Sequence, residues 1–108
     1  MLITLQDDGV LRIYQSAEEA VRDVEALDAQ QTFRSVFDAT GQGYAIRWIR
    51  RNQHGLFMAQ NGEYTLVPCG PLNVAALLKV IRGAQIVEPE SLKPWLHELE
   101  GRLTTASS

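Results

Sequence analysis

Residues 32–67, TFRSVFDATGQGYAIRWIRRNQHGLFMAQNGEYTLV, constrain the chain more than any other stretch. Apolar and polar residues alternate there in short runs, the pattern of a half-buried strand. The runs are separated by Thr40-Gly41-Gln42-Gly43, by His54-Gly55 and by Asn61-Gly62. Glycine tolerates the positive φ of tight turns, and Asn-Gly is a strong two-residue hairpin signal. The stretch therefore predicts a meander of short strands. A sheet with one apolar face must be covered, so the flanking segments are expected to be its covers.

Within the meander, alternation puts Phe33, Ser35 and Phe37 on one face of the first strand and Tyr44, Ile46 and Trp48 on one face of the second. The opposite row of the second strand, Ala45, Arg47, Ile49 and Arg51, is neither a clean core face nor a clean solvent face. In the next strand Phe57 and Ala59 oppose Leu56 and Met58, and Asn61-Gly62 is expected to return residues 63–67 antiparallel to it.

Ahead of the meander, two apolar runs flank Asp7-Asp8-Gly9, which predicts a hairpin with Ile3, Leu5, Leu11 and Ile13 as core residues. Ser16-Ala17-Glu18-Glu19 has capping-box spacing. A helix from Ala17 to Leu27 is expected to bury Ala17, Ala20, Val21, Val24 and Leu27 and to expose Glu18, Glu19, Asp23 and Glu25. After the meander, Pro68-Cys69-Gly70-Pro71 ends the sheet. Pro71 suits the first turn of a helix running to Arg82, stopped by Gly83 and burying Val74, Leu77, Leu78 and Ile81. A last helix begins near Glu90 or Ser91, carries Leu92, Trp95, Leu96 and Leu99 inward, and is expected to close at Gly101. The expected fold is α+β: a mainly antiparallel sheet of five or six strands packed against one N-terminal and two C-terminal helices. Residues 1–103 would form a single domain and 104–108 a flexible tail.

With 108 residues the chain suits a single core. The net charge of −3 argues against a general nucleic-acid binder, which needs a basic excess. The charge is unevenly placed. Residues 1–38 carry eight acids against three bases, whereas residues 39–82 carry five bases against one acid, so opposite surfaces are expected to attract different partners. The single cysteine, Cys69, excludes an internal disulfide. The first residues lack a basic leader and a long apolar run, which makes a cytoplasmic, non-membrane protein the expectation.

The residues that could carry chemistry each have a plainer explanation. Arg47, Arg50, Arg51 and His54 around Trp48 could contact a phosphate backbone while the indole stacks on a base, but alternation sends Arg47 and Arg51 to one side and Arg50 and Trp48 to the other. Cys69 and His97 lie on different elements without an orienting partner, so they do not make a nucleophilic pair. His54 and His97 have no zinc spacing, and Gly41-Gln42-Gly43 lacks the lysine and helix of a phosphate loop. No catalytic residue, metal or cofactor is therefore expected. The acidic row Glu18, Glu19, Asp23 and Glu25 is a candidate docking surface for a basic partner, because clustered carboxylates imitate phosphates and speed association.

With FDATGQGY and NGEYTLVP inside a strand–strand–helix–meander order over residues 1–82, the chain resembles small cytoplasmic immunity proteins of bacterial polymorphic toxin systems. The resemblance implies a non-enzymatic domain that binds a cognate, basic toxin domain and covers its active site. It carries no residue-by-residue site. The candidate partner-binding residues are Glu18, Glu19, Asp23, Glu25, Arg47 and Arg51. Alternatives are a small-ligand or single-stranded nucleic-acid binder using Arg47, Arg50 and Trp48, or a homodimer covering the face around Ala45, Ile49 and Phe57.

Overall fold

A computed structural model describes residues 1–54, 59, 60 and 62–107. The fold is α+β, but its strands do not make the single five- or six-stranded sheet expected. A hairpin of β1 (Leu2–Gln6) and β2 (Leu11–Tyr14) forms the centre of a four-stranded sheet. β3 (Phe33–Asp38) lies antiparallel on the outer side of β1, and β8 (Val87–Glu88) lies parallel on the outer side of β2. A separate antiparallel pair joins β4 (Tyr44–Arg50) to β7 (Glu63–Pro68), and β5 (Gln53–His54) pairs with β6 (Ala59–Gln60) between them in sequence. Residues 63–67 thus return against β4 and not against the strand just before them. Leu56, Phe57 and Met58, with Gly55 and Asn61, lie outside the described residues.

The reason for two sheets is that the central hairpin is buried on both faces. Ile3, Leu11 and Ile13 form one core with Leu77, Leu78 and Ile81 of α3 (Val74–Gly83) and Leu96, Leu99 and Leu103 of α4 (Lys93–Ser107). The opposite row, Leu2 with Tyr14 and Val36, forms a second core with Ala20 and Val24, with Ala26 and Ala29, and with Tyr64 and Leu66 of β7. Tyr44, Ile46 and Trp48 pack on this second core, as their alternation predicts. The β4–β7 pair therefore lies over the sheet that the meander was expected to extend. β3 and the start of β4 share a single isolated backbone bridge, Phe37 to Gly43, and no ladder beyond it.

The N-terminal helix is also two helices, α1 (Ala17–Asp23) and α2 (Ala26–Thr32). The Tyr64 hydroxyl donates to the Val24 carbonyl at 2.6 Å, occupying the acceptor that a continuous helix would offer to the Asp28 amide. That amide bonds instead to the Glu25 carbonyl at 2.9 Å. Phe33 and Phe37 were expected on one face; a register shift opposite Leu5 and Gln6 inserts an extra residue, so Phe37 joins the first core and Phe33 the second. α3 starts at an Asn73 cap, whose side chain accepts from the Ala76 amide at 3.0 Å, and not at Pro71. α4 continues through Gly101 to Ser107, where closure and a tail were expected, because Leu103 is buried in the first core. Among the described residues no helix is long and apolar enough to cross a membrane.

Candidate functional site

Two surfaces collect the side chains singled out by the sequence. The first lies where α1 meets β2 and β8. The hairpin places Thr4 and Gln6, both buried, beside Arg12 and Tyr14 of β2. Gln6 Nε2 donates to the Thr4 hydroxyl at 3.1 Å and to the Tyr14 hydroxyl at 3.0 Å, and Arg12 donates to Gln6 Oε1 at 2.8 Å. Arg12 also pairs with Asp8 at 2.9 Å and with Glu88 at 3.0 Å. The Tyr14 hydroxyl donates to Asp23 at 2.5 Å. Burial, reinforced by that carboxylate, pushes the Tyr14 hydroxyl up to about 12, so it stays a neutral donor. Above this network runs an open groove of about 710 Å³ walled by Glu19, Arg22, Asp23, Glu88 and Pro89.

The four acids expected on one helix face are divided by this arrangement. Glu19 accepts from the Gln15 amide at 3.0 Å as part of the α1 cap, while Ser16 accepts from the Glu19 amide at 3.2 Å. Asp23 holds Tyr14. Glu25 sits in the break between the helices at the start of α2. The side chains of Glu18 and Glu25 alone have no partner among the described residues. The Thr4–Gln6–Tyr14 network was not foreseen, because the alternating row Leu2, Thr4, Gln6 reads as a solvent face. Its legible sign was the apolar Leu2 in that row, which the hairpin register sets opposite Tyr14 of β2.

The second surface is the outer side of β4. Ala45 opposes Val67 and Arg47 opposes Thr65 across the β4–β7 ladder. The register then shifts between Trp48 and Arg50, leaving Ile49 as the extra residue. Ile49 is 62% exposed, the highest value among the exposed large hydrophobic residues. The same shift corrects the placement of Arg51: it does not stand beside Arg47 but lies 5.9 Å over the Trp48 ring, which itself packs on Tyr64 at 5.9 Å. Arg50 pairs with Glu63 at 3.4 Å. Arg47, Arg50 and Trp48 are therefore not one flat patch, and the indole lies on the core side. No described helix or strand covers the outer row.

Cys69 is exposed in the loop after β7 and His97 is exposed on α4, beside Lys93 and Glu100. No hydrogen bond joins them among the described residues. The Asp38–Gly43 segment is a turn, as its composition predicts. Asp38 Oδ1 accepts from the amides of Thr40 at 2.9 Å and Gln42 at 3.2 Å, and Gly41, at φ 94°, lies against Val74. Although burial opposes it, these bonds hold the Asp38 carboxyl below its ordinary value. Among the described residues no cluster of His, Cys, Asp and Glu could hold a metal ion. No protein-family model, curated protein or solved structure matches the chain.

Proposed function

We propose that this chain is a non-enzymatic protein-binding module that acts by covering its partner, and that its specific form is immunity to a toxin domain. One observation carries the reading. Ile49 is bulged out of β4 two residues after exposed Arg47, on a face that no described element covers. An exposed aliphatic anchor next to an arginine, presented by a sheet, is the composition of an interface centre. Small residues beside it, Ala45 and Thr65, let a partner approach the backbone.

A photo-crosslinking residue placed at Ile49, in cells that naturally make the protein, tests the reading against the same residue placed at Glu98 on the far helix. The expected result is one discrete product from position 49, lost on Arg47→Glu and absent at position 98. Equal products at both positions would count against a binding surface on β4. The immunity form adds that co-expression protects a cell from the captured partner. Absence of protection removes that form and leaves the module.

The acidic face of α1 is the competing surface, and the groove beside Glu19 and Asp23 favours it for a basic toxin domain. Because Glu19 caps α1 and Asp23 holds Tyr14, reversing all four acids would also disturb the fold. Glu18→Lys with Glu25→Lys is the cleaner variant. A strong loss of affinity would move the contact from β4 to α1.

A further inference from the structure

The opening between β3 and β4 has two walls of strand edge, and the backbone phase on each can be followed from the single bridge that closes its base. The Asp38 amide donates to the Gln42 carbonyl at 2.9 Å, across from β3 toward β4. Alternation turns the amide and carbonyl of Val36 the same way, up to the register shift at Arg34, where the phase is interrupted. On the other wall, the Gly43 carbonyl accepts from the Cys69 amide at 2.8 Å, so odd-numbered residues of β4 bond to β7. Even-numbered Ile46 and Trp48 therefore turn their backbone groups away from β7. Beyond Phe37 and Gly43 the two edges share no ladder. Between them lies a cleft of about 170 Å³ with Val36 and Leu66 as its buried floor and Ser35 and Ala45 at its rim.

We infer that this cleft takes an extended, acidic segment of a partner protein as an added strand. The inference rests on the protein-binding reading and names the chemistry of the partner. Unpaired strand edges template a further strand, main-chain bonds supplying affinity and alternate side chains supplying specificity. One row of the incoming side chains meets the apolar floor. The other faces outward, where Arg34 lines the cleft and Arg47 is exposed next to Ile46 on β4; neither has an ion-pair partner among the described residues. Two unmatched guanidinium groups at the end of an open edge favour carboxylates. They disfavour a second copy of this chain, which would set its own Arg34 against them. Small Ser35 and Ala45 leave room for a backbone to approach.

The test uses the full chain and a capped peptide of about eight residues, a common strand length, alternating glutamate and valine. At about 1 mM peptide, where a weak association half-saturates, amide hydrogen exchange is followed residue by residue. At that half-saturation the Val36 and Ile46 amides are expected to slow by about twofold, since exchange continues through the free fraction, with α4 unchanged. A peptide N-methylated at alternate amides, and a lysine–valine peptide, should each do nothing. Equal protection by the N-methylated peptide would overturn strand addition, as would unchanged exchange with all three. Protection of these amides by concentrating the chain alone, with a dimer in light scattering, would give the cleft to a second copy and overturn the inference. Crosslinking from Ile49 that persists while the peptides leave the edges unprotected removes strand addition and keeps the binding module. Protected edges with no Ile49 product would keep strand addition and remove the outer row of β4 as the contact.

Discussion

Among the described glycines, replacing Gly62 with alanine is expected to be the most damaging methyl addition. Asn61-Gly62 reads as a turn whose glycine is needed for positive φ, yet Gly62 is not among the glycines with positive φ, which are Gly9, Gly41 and Gly70. It is required by closeness. A Cβ there would collide with the Arg50 carbonyl oxygen and come within 2.6 Å of the Arg51 carbonyl carbon and 2.7 Å of the Asn52 nitrogen, all backbone atoms. The Gly62 amide also donates to Asn52 Oδ1 at 2.7 Å, and Asn52 Nδ2 donates to the Ala26 carbonyl at 2.8 Å, fastening the end of the β4–β7 pair to α2. Overpacking against backbone costs about 1–3 kcal/mol, and the two bonds are worth about 1 kcal/mol each. A loss of about 3 kcal/mol lowers Tm by about 12–20 °C in a domain of this size. Thermal unfolding followed by circular dichroism measures it. Asn52→Ala alone should lose about 1–2 kcal/mol, and the double variant should lose less than the two singles together, since both break one connection. A Gly62→Ala protein within about 0.5 kcal/mol of the parent, the range of ordinary surface changes, would refute the close-approach argument.

Gly101 is the opposite case: it lies inside α4 and a Cβ there meets nothing within 4 Å. Gly101→Ala should stabilise by about 0.5–1 kcal/mol, and a lowered Tm would contradict the continuous helix. Leu77 is fully buried between the sheet and α4, so Leu77→Ala should cost about 3 kcal/mol in urea unfolding; a cost under about 1 kcal/mol, that of a surface change, would contradict its place in the core. Burial pushes both Tyr14 and Tyr64 from 10.0 up to about 12. The folded state therefore holds these protons more tightly than the unfolded chain. Their contribution is complete below about pH 10 and disappears as pH rises through about 12. The urea midpoint should fall across that window, and less steeply in Tyr14→Phe or Tyr64→Phe. A flat profile in the parent would refute the burial of both hydroxyls.

Elements whose local chemistry and packing agree were legible in the sequence. The Asp7-Asp8-Gly9 hairpin, the Ser16 cap, the inward row Tyr44, Ile46 and Trp48, the Asp38–Gly43 turn and the buried stripe of α3 all lie where alternation, capping and helical period put them. Each depends on residues a few positions apart, and such contacts are written in the order of the chain. The exposed candidate surface was half legible. The mixed row on β4 stood out by composition, but a one-residue shift decided that Ile49 is its centre and that Arg51 leaves it for Trp48.

Tertiary structure decided what depends on distant partners. Whether Leu2, Thr4 and Gln6 face water or a second core is set by β7 folding over them, about sixty residues later in the sequence. The break between α1 and α2 is set by the Tyr64 hydroxyl on the Val24 carbonyl, and β8 exists because Leu11 and Arg12 offer an edge to Val87 and Glu88. Between register shifts, strand alternation fixes which residues share a face but not which face is covered, since both faces of a strand can be buried when two sheets stack. The sequence by itself determined the hairpin, the helix cap, the turn and the faces of strand segments free of a register shift. The parting of β3 from β4, on which the proposed binding cleft depends, follows from the second core drawing β4 away from the sheet edge, and only the assembled fold contains that competition.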